Sequence, residues 1–235
     1  MQERTFGGLR VRLTGGSDRE GGGNGPVVVL MHGFGAPGTD LLGLGRGLDV
    51  PREVRFAFPE APHEIPGMPG ARAWWMLDFA RAEAAMAQGP RSYADQVPEG
   101  MEEATDQVVA MLAEMRTELS VADSQLILGG FSQGSMLACN AVFARSVRAA
   151  GLVILSGTPV DLNTWRAGMK PRSDMRVLQS HGEQDPLLSF EAASDLCATM
   201  RESGLQVDWL PFRGGHEIPM PVLEALSRFI REVPD

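Results

Sequence analysis

The sequence predicts an α/β fold with a mostly parallel central sheet, helices on both of its faces and antiparallel strand pairing at its N-terminal edge. Short apolar runs, typical of strands buried on both faces, alternate with segments of helical periodicity. Strands that alternate with helices pair in parallel through right-handed crossovers. The chain of 235 residues is 43% hydrophobic, which suits one large core, and neither a linker nor an internal repeat divides it. We therefore expect a single domain over residues 1–235.

The first elements in the chain are predicted as strands. Residues 5–13 alternate loosely between polar and apolar side chains, which indicates an antiparallel edge hairpin, and a Gly-rich loop follows. Residues 27–31 and 54–58 are apolar runs of the kind found in fully buried strands. The segment at about 60–98 is irregular, with a short Ala-rich helical piece near 78–88. We predict that this segment forms a cap or a substrate groove.

The rest of the chain alternates helices and strands more regularly. Residues 99–119 place their apolar side chains near the 3.6-residue period of a helix. Further strands are predicted at 125–129, 149–155, 175–179 and 206–211, and further helices at 135–145, 189–203 and 219–232. Ser189 is the predicted cap of the helix that it begins.

The composition argues against several kinds of partner. The formal net charge is −9, so no basic surface points to nucleic acid or to an anionic membrane. No apolar run approaches the ~18 residues of a membrane-spanning helix, and the N-terminus lacks a signal-peptide pattern. We expect no stable membrane insertion and a cytoplasmic location. Cys139 and Cys197 lie in apolar helical patterns and are expected to be buried thiols.

Gly130-Phe131-Ser132-Gln133-Gly134 is the most informative motif. It lies between the strand predicted at 125–129 and the helix predicted at 135–145. In that context G-x-S-x-G forms a nucleophile elbow, a tight, strained turn that exposes the serine hydroxyl. A Cβ on either flanking glycine is expected to collide with the neighbouring strand or helix. Ser132 is therefore the candidate nucleophile.

A serine nucleophile needs a general base and a carboxylate that orients it. On this architecture the chain order is serine, acid, histidine, each on a loop after a strand. His216 lies between the last predicted strand and the last helix, which makes it the candidate base. Asp185 and Glu183 both follow a strand in the right interval, and the proline after Asp185 favours Asp185. His181 precedes the acid and is predicted to be structural or pocket-lining.

Acyl transfer also needs preorganised N–H donors for the developing oxyanion. The residue after the nucleophile, Gln133, supplies one of them. The second is expected from the Gly-rich loop after the strand at 27–31, where Phe34 N–H is the candidate. The alternative interpretation of that loop is a plain glycine-rich turn.

Trp74 and Trp75 form an apolar cluster inside the irregular segment. Two interpretations of this cluster stay open: core packing, and the wall of an acyl-binding groove. Leu187 and Leu188, just after the candidate acid, are predicted to line the same groove. If residues 74–77 are exposed, they also offer an interface for a homodimer.

Motifs in six segments extend beyond the triad candidates. They are His32-Gly33-Phe34-Gly35, Phe58-Pro59-Glu60-Ala61-Pro62, Ala71-Arg72-Ala73-Trp74-Trp75, residues 129–134, His181-Gly182 with Asp185-Pro186, and Gly215-His216-Glu217-Ile218. Together they resemble the phospholipase/carboxylesterase family, which includes the acyl-protein thioesterases, of the α/β-hydrolase superfamily. The chain departs from the family pattern at Ala36, where Asp is often found, and at Ser135, where Gly is common.

The resemblance implies a role for five candidate residues: Ser132 as nucleophile, His216 as base, Asp185 as acid, and Phe34 and Gln133 as oxyanion donors. It implies a serine carboxylesterase that acts on a small-molecule ester or acyl substrate, with thioesters and lysophospholipids as further candidates. No metal or organic cofactor is implied. Two alternatives stay open: another hydrolase or acyl-transfer chemistry on the same fold, and a catalytically inactive binding module.

Overall fold

A computed structural model describes residues 1–77, 90, 94–173 and 175–233 of the chain. Its strands are β1 (Gln2–Phe6), β2 (Leu9–Gly15), β3 (Val27–Met31), β4 (Arg55–Pro59), β5 (His63–Glu64), β6 (Arg72–Ala73), β7 (Leu126–Phe131), β8 (Gly151–Leu155), β9 (Arg176–Gly182) and β10 (Gln206–Phe212). Its helices are α1 (Leu44–Gly47), α2 (Met101–Glu118), α3 (Gln133–Phe143), α4 (Leu162–Met169), α5 (Phe190–Glu202) and α6 (Met220–Glu232).

Eight strands from the described part of the chain form the main sheet, in the order β1-β2-β4-β3-β7-β8-β9-β10. The pairs β1–β2 and β2–β4 are antiparallel, and every pair from β4 onward is parallel. The prediction of a mostly parallel sheet with antiparallel strands at its N-terminal edge is therefore confirmed. The strands β5 and β6 form a separate antiparallel ribbon within the segment that the sequence marks as irregular.

The two faces of the sheet pack against different helices. Val27, Val29 and Met31 of β3 point into a core shared with α2, α3, α4 and α5, whereas Val28 and Leu30 point into a core shared with α6. All five residues are at most 1% exposed. Burial on both faces explains why the run is continuously apolar instead of alternating. Cys139 and Cys197 are buried free thiols in the first core, as expected.

Local signals predict most element ends to within a few residues. Ser189 caps α5 by accepting the N–H of Ala192 at 3.2 Å, as predicted. The sequence did not predict helix α4. In the structure Asp161 caps this helix, and Trp165 and Met169 are the buried residues of its apolar face. This i, i+4 pair after an aspartate is the signal that the sequence analysis missed. The helical piece predicted near 78–88 lies outside the described residues.

None of the helices in the described ranges combines the length and the apolar content needed to cross a bilayer.

Candidate active site

Ser132 alone connects β7 to α3, at the C-terminal edge of the sheet. Its backbone has φ 53° and ψ −120°, in a region that a residue with a Cβ rarely adopts. Three backbone hydrogen bonds hold it there. Its N–H donates to the Leu155 carbonyl at 2.8 Å, and its carbonyl accepts the N–H groups of Ser135 at 3.0 Å and Met136 at 3.2 Å. Strain maintained by surrounding structure is typical of functional sites.

The glycines of the elbow are required by the packing of β7 and α3 against β3. A Cβ at Gly130 would lie 2.5 Å from the Met31 carbonyl oxygen, and one at Gly134 would overlap the same oxygen. This confirms the collision predicted from the motif. Ser135, where the family pattern commonly has glycine, is fully buried and donates its Oγ proton to the Ser132 carbonyl at 2.7 Å.

His216 and Asp185 form a close hydrogen-bonded pair. Nδ1 of His216 lies 2.6 Å from Oδ2 of Asp185, and Oδ1 accepts the backbone N–H groups of Leu187 at 2.8 Å and Leu188 at 3.0 Å. Burial by itself raises the pKa of Asp185, but the hydrogen bond and charge of His216 and the two backbone donors together hold it below its ordinary value. Because an ionised carboxylate only accepts, the His216 proton lies on Nδ1 and Nε2 is left as the basic nitrogen.

The imidazole lies beside the elbow. The rings of His216 and Phe131, the residue before Ser132, have centroids 4.8 Å apart. The three triad candidates follow β7, β9 and β10. The carboxyl ends of these parallel strands meet at one edge of the sheet, which brings the three residues together. Glu183, the rival acid, has an exposed side chain, and Asp185 holds the histidine instead.

A second histidine contacts the candidate acid. His181 is fully buried, with Nε2 at 3.2 Å from the Leu188 carbonyl and 3.4 Å from Oδ2 of Asp185. Burial lowers the pKa of His181, against the raising effect of Asp185. A neutral imidazole that donates from Nε2 to the carbonyl fits both facts.

The loop that carries Phe34 packs directly against the elbow. A Cβ at Gly33 would lie 3.2 Å from Cβ of Ser132. The loop is held on its other side by β6, because Gly35 N–H donates to the Arg72 carbonyl at 2.9 Å and Arg72 N–H donates to the Ala36 carbonyl at 3.1 Å. These contacts place Phe34 on the lining of the same cavity as Ser132 and Gln133.

His32 supports this loop from within the core. Its Nδ1 lies 2.8 Å from the Gly33 carbonyl, and its Nε2 accepts the Ala61 N–H at 3.1 Å. Accepting at Nε2 requires the neutral ring with its proton on Nδ1. Burial also lowers the pKa of His32.

An ion-pair cluster ties the far end of the loop to the sheet. Glu60, whose side chain is 11% exposed, binds Arg12 at 2.8 Å and Arg72 at 3.5 Å. Arg12 also donates to the Gly38 carbonyl at 3.1 Å.

The side chain of Gln133 bonds both tryptophans of the Arg-Ala-Trp-Trp segment. Its Oε1 accepts the Trp74 backbone N–H and its Nε2 donates to the Trp75 carbonyl, both at 2.9 Å. The indole N–H of Trp74 donates to the His32 carbonyl, also at 2.9 Å. Sequence reasoning assigned Gln133 a role for its backbone only, and no local signal predicts these side-chain bonds.

A narrow cavity of about 50 Å³ opens beside Ser132. It is lined by Phe34, Trp75, Leu77, Pro98, Ser132, Gln133, Met136 and Leu188. Of the residues predicted to line the groove, Trp75 and Leu188 are on this lining, whereas Trp74 and Leu187 are not. Of the interface patch predicted at residues 74–77, Trp74 and Trp75 are buried, at 0% and 2% exposed, whereas Met76 is 41% exposed.

Within the described ranges, no group of three or more His, Cys, Asp or Glu side chains is arranged to hold a metal ion.

The sheet order, the serine elbow after β7 and the His–Asp pair after the next strands define the α/β-hydrolase class of fold. Residues 21–233 match the profile of the Phospholipase/Carboxylesterase family, and the chain belongs to that family. It is therefore a carboxylic ester hydrolase, of a family whose members act on esters or thioesters.

Relatives in other organisms are similar over most of their length. Acyl-protein thioesterase 1 of Gibberella zeae is 24% identical over 88% of this chain and 89% of its own. A probable carboxylesterase of Oryza sativa subsp. japonica is 27% identical over 87% of each chain. Among solved structures, esterase PE8 superposes with a TM-score of 0.76 at 26% identity, covering 94% of this chain and 99% of its own. The Bacillus cereus carboxylesterase is similar in fold, with a TM-score of 0.67 at 19% identity over 94% and 93% of the two chains.

Proposed function

We propose that the protein hydrolyses carboxylic esters and thioesters through an acyl-enzyme on Ser132. The observation that carries the proposal is the 2.6 Å hydrogen bond between His216 and Asp185 beside a serine held at φ 53°. Ser132 Oγ attacks the acyl carbonyl carbon while His216 Nε2 takes its proton. The same proton then passes to the leaving alkoxide or thiolate. A water molecule, deprotonated by His216, cleaves the acyl-enzyme and releases the acid.

The backbone N–H groups of Phe34 and Gln133 are the proposed oxyanion donors. The contact of the Phe34 loop with the elbow supports this assignment, as does the position of both residues on the cavity lining next to Ser132. Removing a single oxyanion donor in a serine hydrolase typically costs about 10²–10³-fold in kcat.

The cavity supports binding of an apolar acyl group beside Ser132. One water needs about 10–15 Å³ of cavity volume, so a cavity of about 50 Å³ has room for a group of a few atoms. The side chains of Trp75, Met136 and Leu188 make its walls largely apolar. An acetyl to butyryl group fits this volume, and because the cavity is open, a longer chain can extend beyond it.

The test is hydrolysis of p-nitrophenyl esters from acetate to palmitate by the wild type and by Ser132→Ala, with butyryl and acetyl thioesters in parallel. We expect serine-dependent turnover of the acetate and butyrate esters, and the chain-length optimum of the series measures how far the groove extends. Near-normal turnover by Ser132→Ala overturns the proposed mechanism. A wild type that neither turns over any of these substrates nor reacts with a fluorophosphonate at Ser132 is an inactive binding module.

A further inference from the structure

The adjacent residues Trp74 and Trp75 are both buried, yet their indole N–H groups have different environments. That of Trp74 donates to the His32 carbonyl at 2.9 Å. That of Trp75 is buried without a hydrogen-bond partner among the described residues. Trp75 contributes to the cavity beside Ser132, and Trp74 does not. The two side chains therefore have different roles.

Trp74 contacts both segments that supply the proposed oxyanion donors. On one side its indole N–H holds the carbonyl of His32, two residues before Phe34, and the two rings pack with centroids 5.6 Å apart. On the other side its backbone N–H donates to Oε1 of Gln133. The second bond of the Gln133 amide, to the Trp75 carbonyl, fixes the orientation of that side chain.

From these contacts we infer that Trp74 is a positioning residue, which sets the separation between the backbone N–H groups of Phe34 and Gln133. The inference rests on the proposed function, because it assumes that both N–H groups bind the oxyanion. Phe34 lies in a loop and Gln133 begins α3, far along the chain, so a shared rigid contact is needed to keep the two donors in register. Displacing a reacting or stabilising group by about 1 Å can cost about 10²-fold in rate.

The test compares Trp74→Phe with Trp165→Phe, a matched control. Trp165 is likewise fully buried, and its indole N–H donates to Oδ1 of Asn140 at 2.9 Å in the packing of α4 against α3, outside the site. Both variants lose one buried indole hydrogen bond, so a general loss of stability affects both. We expect only Trp74→Phe to lower kcat on p-nitrophenyl acetate, by about 10–100-fold, with KM changed by less than about threefold.

Binding of butylboronic acid separates positioning from stability. The boronate forms a tetrahedral adduct with the serine, with a boron-bound oxygen at the oxyanion site. We expect its Ki to rise in Trp74→Phe by about the same factor as kcat falls, and to stay unchanged in Trp165→Phe. Equal kcat and equal Ki in the two variants would overturn the inference while the proposed function stands.

If Trp74→Phe fails to fold, Gln133→Met tests the same network from the other side. It removes both bonds to the tryptophan backbone and keeps the Gln133 N–H. We expect a parallel loss in kcat and in boronate affinity, and an unchanged kcat contradicts the inference. Absence of Ser132-dependent turnover in the wild type removes the proposed function, and the inference with it.

Discussion

Ser135 and Gly157 fit together in the packing behind the elbow. A Cβ at Gly157 would overlap Oγ of Ser135, the atom that donates to the Ser132 carbonyl at 2.7 Å. The Ser135 side chain is thus accommodated by a residue without a side chain on the loop that follows β8. Each of the two residues constrains what the other position tolerates.

This relationship predicts a compensating pair of substitutions. Gly157→Ala should lower the free energy of unfolding by about 1–3 kcal/mol, since it overpacks the core, and should reduce kcat by disturbing Ser132. Adding Ser135→Gly should recover most of both losses, because the overlapping Oγ is gone. Urea unfolding and ester hydrolysis of the two single variants and the double variant complete the cycle. Losses that simply add contradict the proposed fit.

Asp185→Asn should reduce kcat by about 10³–10⁴-fold with little effect on KM. The asparagine NH₂ group in place of Oδ2 no longer accepts from Nδ1 and favours the wrong tautomer of His216. Glu183→Gln is the matched control, because it neutralises the exposed carboxylate in the same loop. We expect it to leave kcat within twofold of the wild type. A larger loss from Glu183→Gln than from Asp185→Asn would exchange the roles of the two acids.

Two carboxylates that bind Arg72 should differ in their effect on stability. Glu60→Gln removes the 2.8 Å carboxylate partner of the buried Arg12 guanidinium, which keeps a 3.4 Å pair with the exposed Glu3, and should cost about 1–3 kcal/mol of unfolding free energy. Glu64→Gln removes a 3.1 Å pair with Arg72 whose carboxylate is 79% exposed, so it should cost no more than about 1 kcal/mol. Urea denaturation measures both. Similar losses in the two variants would show that the Glu60 cluster does not anchor the loop.

Acid should destabilise the protein through His32 and His181. Burial lowers the pKa of both histidines in the folded state. At His32, Asp40 and Glu60 raise the pKa and Arg12 lowers it. At His181, Asp185 raises the pKa and His216 lowers it. Above the unfolded pKa of about 6.5 both states are neutral, so this stability is fully present there. Below about pH 6.5 these histidines bind protons in the unfolded chain, whereas in the folded chain they stay neutral. Stability therefore falls, by at most about 1.4 kcal/mol per pH unit for each histidine, until pH passes the lowered pKa.

The measurement is urea unfolding at pH 7.5, 6.5 and 5.5. His32→Gln and His181→Gln should each flatten the dependence of unfolding free energy on pH, by up to one proton. A slope identical in the wild type and both variants contradicts the assignment.

Most of the fold follows from local patterns. The continuous apolar run of β3 predicts burial on both faces, and the Gly-x-Ser-x-Gly segment predicts a turn between a strand and a helix, because both depend on neighbouring residues. Helix α4 was not predicted, because only Trp165 and Met169 are buried among its eight residues and two positions give a weak helical period. Its stability comes from packing against α3, which local sequence does not reveal.

The candidate site, too, was predicted from the sequence only in part. The sequence by itself determined the candidate nucleophile, acid and base, because the order of these residues along the chain reflects the order of strands that carry them. Only the tertiary structure decided which of two adjacent tryptophans lines the cavity, and which of the adjacent leucines 187 and 188 does so. The bond from Gln133 to Trp74 joins residues 59 positions apart. Side-chain direction within an irregular segment depends on such distant partners, and no period along the chain encodes them.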